Sequence, residues 1–197
     1  MSEQNEQELL KRCQKGDMDA FETLIEAYQK RILNYCYRML GNRSDAEDAT
    51  QEVFVKVFRF IDKFSGDASF STWIYKVASN VCLDFLRKHK KPDHQTVSLY
   101  QTNSDGEEFD VHIEDSTYSP YEKLKQTEAH RALALALDKL SSEHKNVIVL
   151  RDIQGLSYEE IGRVVGATEG TVKSRINRAR AQLQKLLEKD RELFIKE

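Results

Sequence analysis

The sequence predicts an all-α protein of two small domains, a four-helix domain and a helix-turn-helix domain, joined by a flexible acidic linker. Apolar residues recur at helical spacing in both halves of the 197-residue chain, and no alternating strand pattern interrupts them. The only two prolines, Pro92 and Pro120, bracket a polar stretch between the halves. From residue 92 to 127 it carries two Lys against eight Asp or Glu, which is typical of a solvated spacer. We therefore place the domains at residues 1–91 and 128–197, with the linker at 92–127.

The first domain is expected to contain four helices, at about residues 5–15, 17–41, 44–63 and 70–89. Asp17 and Ser44 have side chains suited to capping helix N-termini, and Gly16, Gly41 and Gly66 are suited to ending the helices before them. The second and third predicted helices each carry a broad apolar face rich in aromatic residues. We interpret most of these aromatic side chains as ordinary core.

The segment from residue 155 to 180 predicts a helix, a tight turn and a second, basic helix. Ser157 and Glu160 have the spacing of a capping box at the start of the first helix. Gly166 can adopt the left-handed conformation that a sharp turn needs, and Thr168 can cap the next helix. This order is typical of a helix-turn-helix, which places its second helix in the major groove of DNA.

The second helix of that motif is locally positive in a chain of net charge -3, since residues 168–180 contain four basic residues against one acidic. DNA contact is therefore expected to be concentrated here. The alternative is an amphipathic helix whose cationic face is merely solvated. The predicted outward face consists of Thr171, Lys173, Ser174, Arg175, Asn177, Arg178 and Arg180.

Composition argues against several other classes of protein. No apolar run approaches the roughly 18 residues of a membrane span, and the polar N-terminus is unlike a signal peptide, so we expect a cytoplasmic location. Three widely spaced cysteines and five scattered histidines lack the spacing of a metal site, and nothing in the pattern requires a cofactor. No phosphate loop or nucleophile with an arranged base is apparent, which argues against an enzyme such as a recombinase.

Three motifs, in this order and spacing, resemble one known family. They are Asp45-Ala-Glu-Asp-Ala-Thr-Gln-Glu-Val-Phe54, then Phe70-Ser-Thr-Trp-Ile-Tyr-Lys-Val-Ala-Ser-Asn80, then the helix-turn-helix. Together they resemble the extracytoplasmic-function (ECF) group of bacterial sigma factors, over about residues 5–91 and 128–190. The resemblance implies a non-catalytic subunit that binds core RNA polymerase, recognises promoter DNA and helps to open it.

The resemblance assigns the first motif to a helix that docks on a coiled coil of the largest polymerase subunit. Carboxylates there would pair with Arg or Lys of the partner, while Phe54 and Phe58 would support the helix from the core. Alternatively, the acidic cluster only complements the dipole of its own helix. The positions carried over from the family are Asp45, Glu47, Asp48, Gln51, Glu52 and Val55.

The loop before the second motif resembles the loop that accepts a base flipped out of the minus-ten promoter element. Extruding a base costs a few kcal/mol, so a pocket with polar edges and aromatic walls is needed. Asn80 is assigned to minus-ten reading, with a buried Asn that bonds the backbone as the alternative. Arg87 and Lys88 suit phosphate contact, although a helix C-terminus favours cations in any case. The candidate pocket residues are Phe64, Ser65, Asp67, Ser69 and Phe70.

Members of this family read the minus-thirty-five element with the second helix of the helix-turn-helix. By position, Lys173, Ser174, Asn177 and Arg178 would read base edges, and Arg175 and Arg180 would contact phosphates. The helix start, where backbone amides can also hold a phosphate, carries Thr168, Glu169 and Thr171.

The resemblance also implies partners. These are the coiled coil and flap of core RNA polymerase, promoter DNA, and an anti-sigma factor that holds the chain inactive until a stress or envelope signal. The chain itself would not insert into a membrane and would be a monomer when free. A stand-alone helix-turn-helix regulator, whose first domain senses a ligand or dimerises, is the alternative; it leaves the first two motifs unexplained.

Overall fold

A computed structural model describes residues 3–89 and 120–194, and every regular element in these ranges is helical. A 3₁₀ turn follows the third helix (Ile61–Lys63), another follows the eighth (Glu188–Phe194), and a π-helical turn follows the sixth (Val149–Ile153). The predicted all-α fold is confirmed. The helices are α1 (Glu3–Cys13), α2 (Met18–Leu40), α3 (Arg43–Phe60), α4 (Phe70–His89), α5 (Pro120–Asp138), α6 (Ser142–Ile148), α7 (Tyr158–Val165) and α8 (Glu169–Leu187).

The first domain packs α1 to α4 around one apolar core, in which Leu24 and Ile32 of α2 meet Val53 and Ile74 of α3 and α4. Asp17 caps α2 as predicted, and Gly41 ends it in the left-handed conformation at φ 83°. The predicted cap of α3 was wrong. Asn42, rather than Ser44, accepts a hydrogen bond from the backbone amide of Asp45 at 2.8 Å, since both residue types cap well and Asn42 has the extended backbone required.

The helix-turn-helix has the local geometry that its sequence predicts. Ser157 and Glu160 form the complete capping box at the start of α7. Gly166 ends that helix at φ 66°, and Thr168 caps α8 by accepting from the backbone amide of Thr171. α8 packs through Val172, Ile176 and Ala179, which are buried.

The helix α5 begins at Pro120, inside the stretch that the sequence predicted as linker. Proline suits the first turn of a helix because the amide hydrogen it lacks would have no partner there. Residues 92–119, which make up the rest of the predicted linker, lie outside the described residues.

The two domains pack directly against each other, which the sequence did not predict. α7 lies on α4, and α6 and the π-helical turn contact α2. One buried apolar cluster therefore runs through both domains and joins Ile74 and Ala78 of α4 to Leu150 and Ile161 of the second domain.

Two glycines of the helix-turn-helix offer a matched test of its packing. A Cβ on Gly162 would lie 2.7 Å from the carbonyl oxygen of Ala167, whose own amide is hydrogen-bonded to Gly162, whereas a Cβ on Gly170 would meet nothing within 4 Å. We expect Gly162→Ala to lower the free energy of unfolding by roughly 1–3 kcal/mol. Gly170→Ala should leave it unchanged or raise it by up to about 1 kcal/mol. Urea unfolding of both variants measures this, and equal effects would contradict the close approach.

Candidate nucleic-acid and partner-binding surfaces

The outward face of α8 is exposed along the length that the sequence assigned to DNA reading. Thr171, Lys173, Ser174, Asn177 and Arg178 are exposed, while the apolar side chains between them are buried. Arg175 is half-buried. A helix held by one apolar stripe thus presents a polar, cationic face to solvent, as a helix that enters the major groove must.

The two predicted phosphate-contacting arginines of α8 differ in their surroundings, since Arg175 is half-buried and Arg180 is not. Arg180 is exposed and forms an ion pair with Asp152 of the π-helical turn, with Nε 3.1 Å from one carboxylate oxygen. Hydrogen bonding to Asp152 raises the pKa of Arg180. The ion pair with Asp152 thus orients the guanidinium group of Arg180.

At the start of α8, Thr168 and Thr171 are exposed but bonded to each other. Their hydroxyl oxygens lie 3.0 Å apart, and Thr168 also accepts from the backbone amide of Thr171. Glu169 is exposed beside them. The Thr168 side chain is therefore first of all a helix cap, although its position at the helix N-terminus still suits a phosphate.

The predicted docking residues lie along α3, where Glu47, Asp48, Gln51 and Val55 are exposed. Asp45 and Glu52 are half-buried. Several carboxylates are already paired within the chain: Glu47 with Arg43, Glu52 with Lys56, and Asp45 with the amide of Asn42. An exposed ion pair such as Glu47–Arg43 contributes little stability, so its carboxylate is easily freed for another cation.

Sequence reasoning missed an apolar extension of this surface. Phe58 was expected in the core, but its side chain is half exposed and meets Phe21 edge-on, with ring centroids 5.1 Å apart. Met18 and Phe60 are exposed as well, whereas the exposed Val55 was among the predicted docking residues. Helical periodicity explains Phe58, because the neighbouring Val57 points inward and directs the next side chain away from the core.

The loop between α3 and α4 forms a cavity of about 510 Å³. Phe64, Ser65 and Asp67 line it, together with Trp73, as a base pocket requires. The ring of Phe64 lies 5.4 Å from that of Trp73, and Ser65 donates a hydrogen bond to Asp67. The second domain contributes one lining residue, Arg163 of α7.

Two predicted pocket residues have other positions. Phe70 is only 1% exposed and packs its ring against Tyr28, Phe64 and Trp73, beneath the loop. Ser69 accepts a hydrogen bond from the backbone amide of Thr72 at the start of α4. Neither lines the cavity, so both support it from outside.

Asn80 is exposed on α4, so the alternative of a buried Asn that bonds the backbone is wrong. Its neighbour Ser79 is the buried residue and bonds Asn146 of the second domain. Near the end of α4, Arg87 pairs with Asp84 at 2.8 Å, and Lys88 is exposed.

Within the ranges that the structure describes, no group of three or more His, Cys, Asp or Glu residues is placed to hold a metal ion. Cys13, Cys36 and Cys82 are free thiols, and all three are buried. The same described ranges contain no helix of the length and apolarity needed to span a membrane.

Comparison with known proteins gives matches across both domains. The family model for Sigma-70 region 2 matches residues 24–91, and that for Sigma-70 region 4 matches residues 130–183. The chain is 37% identical to the ECF RNA polymerase sigma factor SigW of Bacillus subtilis, over 90% of this chain and 94% of the relative. It is 35% identical to the ECF RNA polymerase sigma-E factor of Escherichia coli, over 91% of this chain and 93% of the relative.

Solved structures show the same fold. CnrH, in complex with the cytosolic domain of CnrY, superposes with a TM-score of 0.66 at 25% identity, over 94% of this chain and 99% of that chain. The sigma factor RpoE of Bartonella quintana, in complex with the anti-sigma factor NepR, superposes with a TM-score of 0.60 at 19% identity, over 85% of this chain and 96% of that chain. With identity above 30% over nearly the full length of curated relatives, the chain belongs to the ECF group of RNA polymerase sigma factors.

Proposed function

We propose that this sigma factor directs core RNA polymerase to its promoters through three surfaces: α3 docks on polymerase, the α3–α4 loop with Asn80 reads the minus-ten element, and α8 reads the minus-thirty-five element. The observation that carries the proposal is the exposed face of α8, which is polar and cationic along its length while the opposite stripe is buried. We expect no catalytic step in this role. Because polymerase and promoter DNA lie in the bacterial cytoplasm, we place the action of the chain there.

The chemistry of α3 supports docking. The exposed Asp48 and Glu47 can attract cations on a partner coiled coil and speed its approach. Val55 and Phe58, half exposed beside them, supply apolar area that would lose water on docking. Charges steer the encounter, and the apolar residues slow dissociation.

The pocket in the α3–α4 loop supports minus-ten recognition. An extruded base loses a few kcal/mol of stacking, and the rings of Phe64 and Trp73 offer a replacement surface. Ser65 and Asp67 place a hydroxyl and a carboxylate at the edge of the cavity, where they can bond the edge of a base. Exposed Asn80 would add a donor and an acceptor from α4.

We also infer that an anti-sigma factor holds the chain inactive. Two similar structures contain a bound partner protein. CnrH is in complex with the cytosolic domain of CnrY, and RpoE is in complex with the anti-sigma factor NepR. A stress or envelope signal would then release this chain, as its resemblance to ECF sigma factors implies. Recovery of polymerase, but of no inhibitor, with the tagged chain from unstressed cells would contradict this inference.

The general test is transcription in vitro from genomic fragments, with core polymerase in the presence and absence of the chain at a stated salt concentration. Specific initiation that requires the chain supports the proposal. DNA binding by the chain alone, at palindromic sites and with polymerase left idle, would favour a stand-alone regulator instead.

Charge reversal on α3 tests docking. Asp48→Arg should weaken binding to core polymerase by roughly tenfold or more, mainly through a slower association, because an attractive charge becomes repulsive. Glu26→Arg, an exposed carboxylate on α2, is the matched control and should bind as the wild type does. Association rates at two salt concentrations measure this effect. Equal losses for the two variants would mean that net charge, rather than the α3 surface, governs docking.

Two arginines of α8 separate base reading from phosphate contact. Arg178→Ala should cost about 1–3 kcal/mol at particular minus-thirty-five positions and relax the preference there. Arg180→Ala should weaken all sequences alike and lower the slope of log K against log salt by about 1. Lys185→Ala, near the end of α8, is the control. Holoenzyme binding to a set of single-substitution promoters distinguishes these outcomes, and an unchanged sequence preference in Arg178→Ala would remove that residue from base reading.

Asn80 tests the minus-ten contact independently. Asn80→Ala should lower open-complex formation at a given promoter by roughly tenfold, since one bidentate contact is worth about 1–3 kcal/mol. Because Asn80 is exposed, the stability of the fold should not change. Gln29→Ala on α2 is the control. Permanganate footprinting of the opened strands provides the measurement, and normal opening by Asn80→Ala would exclude the contact.

A further inference from the structure

The end of α1 reaches the loop between α3 and α4 through the side chain of Gln14. Nε2 of Gln14 donates a hydrogen bond to the carbonyl oxygen of Phe64 at 2.8 Å. The same nitrogen donates to the carbonyl oxygen of Ile61 at 3.4 Å, which is a weaker contact. A side chain 50 positions earlier in the chain thus holds the point where the 3₁₀ turn ends and the loop begins.

The backbone that carries Gln14 is itself fixed. Leu10 and Cys13, which precede it on α1, are buried in the core of the first domain. The backbone amide of Gln14 donates to the carbonyl oxygen of Leu10 at 3.0 Å. Gly16 then closes the turn at φ 85°, a conformation that glycine adopts without strain. The side chain of Gln14 therefore starts from a backbone position that the core determines.

The hydrogen bond to Phe64 fixes the direction of the chain as it enters the loop. The carbonyl group of Phe64 and the amide group of Ser65 belong to one planar peptide unit, so a restraint on the carbonyl also orients Ser65. The ring of Phe64 lies 5.4 Å from that of Trp73 and 5.9 Å from that of Phe70. Gln14 thereby restrains both an aromatic wall and a polar edge of the cavity.

The bond made by Gln14 contributes more to the order of the loop than to the stability of the fold. Gln14 is exposed and Phe64 is only half-buried, so water can replace the lost partner when the bond is broken. Residues 64–69 have no regular secondary structure, so contacts from outside the loop help to decide its conformation. A loop binds more strongly when its bound conformation is already present, because ordering it during binding costs free energy.

We propose that Gln14 is a positioning residue for minus-ten recognition, which holds the α3–α4 loop in the form that accepts the extruded base. The inference rests on the proposed function of the cavity, because that function defines what the loop must bind. Gln14 itself does not contact the base. Phe64, Ser65 and Asp67 make the contacts, and the bond from Gln14 to the Phe64 carbonyl keeps them in place. A pocket ordered in advance discriminates between bases better than a loose one.

Fluorescence of the free chain tests the positioning itself. Trp73 is the only tryptophan of the sequence and lines the cavity beside Phe64, so its emission reports on that wall. Gln14→Leu removes both donated hydrogens and keeps a side chain of similar size. It should raise the acrylamide quenching constant of Trp73 roughly twofold, because the loop opens more often. Gln7→Leu, the same substitution at an exposed position of α1, is the control and should leave the constant unchanged. Equal quenching of Gln14→Leu and the wild type would overturn the proposal.

Promoter discrimination by the holoenzyme tests the consequence for function. Open-complex formation is measured on promoters that carry each base in turn at each minus-ten position. Gln14→Leu should reduce the preference at one position roughly three- to tenfold, as expected for the loss of one hydrogen bond, and should leave the other positions unchanged. Gln7→Leu should behave as the wild type does. An equal loss at every position would show a general structural role and would overturn the proposal.

A rescue variant tests whether the hydrogen bond is the cause. Gln14→Lys restores a donor on a side chain long enough to reach the Phe64 carbonyl, so it should recover both the low quenching and the lost preference. Its added charge strengthens binding to all promoters alike and does not change a ratio between bases. Failure of Gln14→Lys to recover either property would contradict the role of the bond.

A variant of the pocket itself separates this inference from the proposed function. The double variant Ser65→Ala/Asp67→Ala removes the polar edge of the cavity and should alter the same minus-ten position as Gln14→Leu. If the double variant alters no minus-ten preference, the proposed function of the loop is wrong, and the inference fails with it. If the double variant alters one position and Gln14→Leu alters none, only the positioning role of Gln14 is wrong. The two failures are therefore distinguishable.

Discussion

The contact on which the arrangement of this molecule depends is the pair of hydrogen bonds made by the Asn146 amide. A purely apolar interface would tolerate sliding or rotation, because hydrophobic burial is non-directional. The amide accepts from Tyr35 and donates to Ser79, both buried, and these bonds have good geometry in only one orientation. The position of α7 over α4, and hence of α8 relative to the loop, follows from that constraint.

The two hydrogen bonds of Asn146 select one orientation of the domains more than they stabilise the packing of the domains. A satisfied hydrogen bond contributes about 1 kcal/mol net, whereas a buried group left without a partner costs about 1–3 kcal/mol. As far as these two hydrogen bonds are concerned, the observed packing is thus much better than any misaligned packing of the domains, yet only moderately better than separated, hydrated domains. The same reasoning applies to Lys145, since the Met39 carbonyl and Asp138 compensate its burial. If the domains separated, water would replace the Met39 carbonyl, while Asp138, which lies in the same domain as Lys145, would stay paired.

The sequence predicts those parts of the structure whose signals are local. Ser157, Glu160, Gly166 and Thr168 act within a few residues of their own positions, so the helix-turn-helix is predicted accurately. The start of α3 was misplaced because two good capping residues, Asn42 and Ser44, lie close together and only geometry decides between them.

Residues whose positions depend on distant parts of the chain were harder to predict. Phe58 was expected in the core because aromatic residues usually are buried, but the domain leaves one side of α3 uncovered. Asn146 and Ser79 are 67 residues apart, and no periodicity or spacing relates them. No local sequence pattern marks a contact between two domains when each partner is an ordinary polar residue of a helix.

The packing of the two domains does not cover all three proposed surfaces equally. The α7 helix lies on α4 and Arg163 reaches the loop, but Asp48 and Val55 on α3 remain exposed, as does the outward face of α8. The proposed docking surface on α3 is therefore accessible while the two domains are packed together. A partner changes how two domains pack only by binding one arrangement more tightly than another, so a contact to α3 alone would leave the packing of the domains unchanged. Only contacts that the separated domains alone can make, such as simultaneous binding of the two proposed promoter elements, would favour separation of the domains.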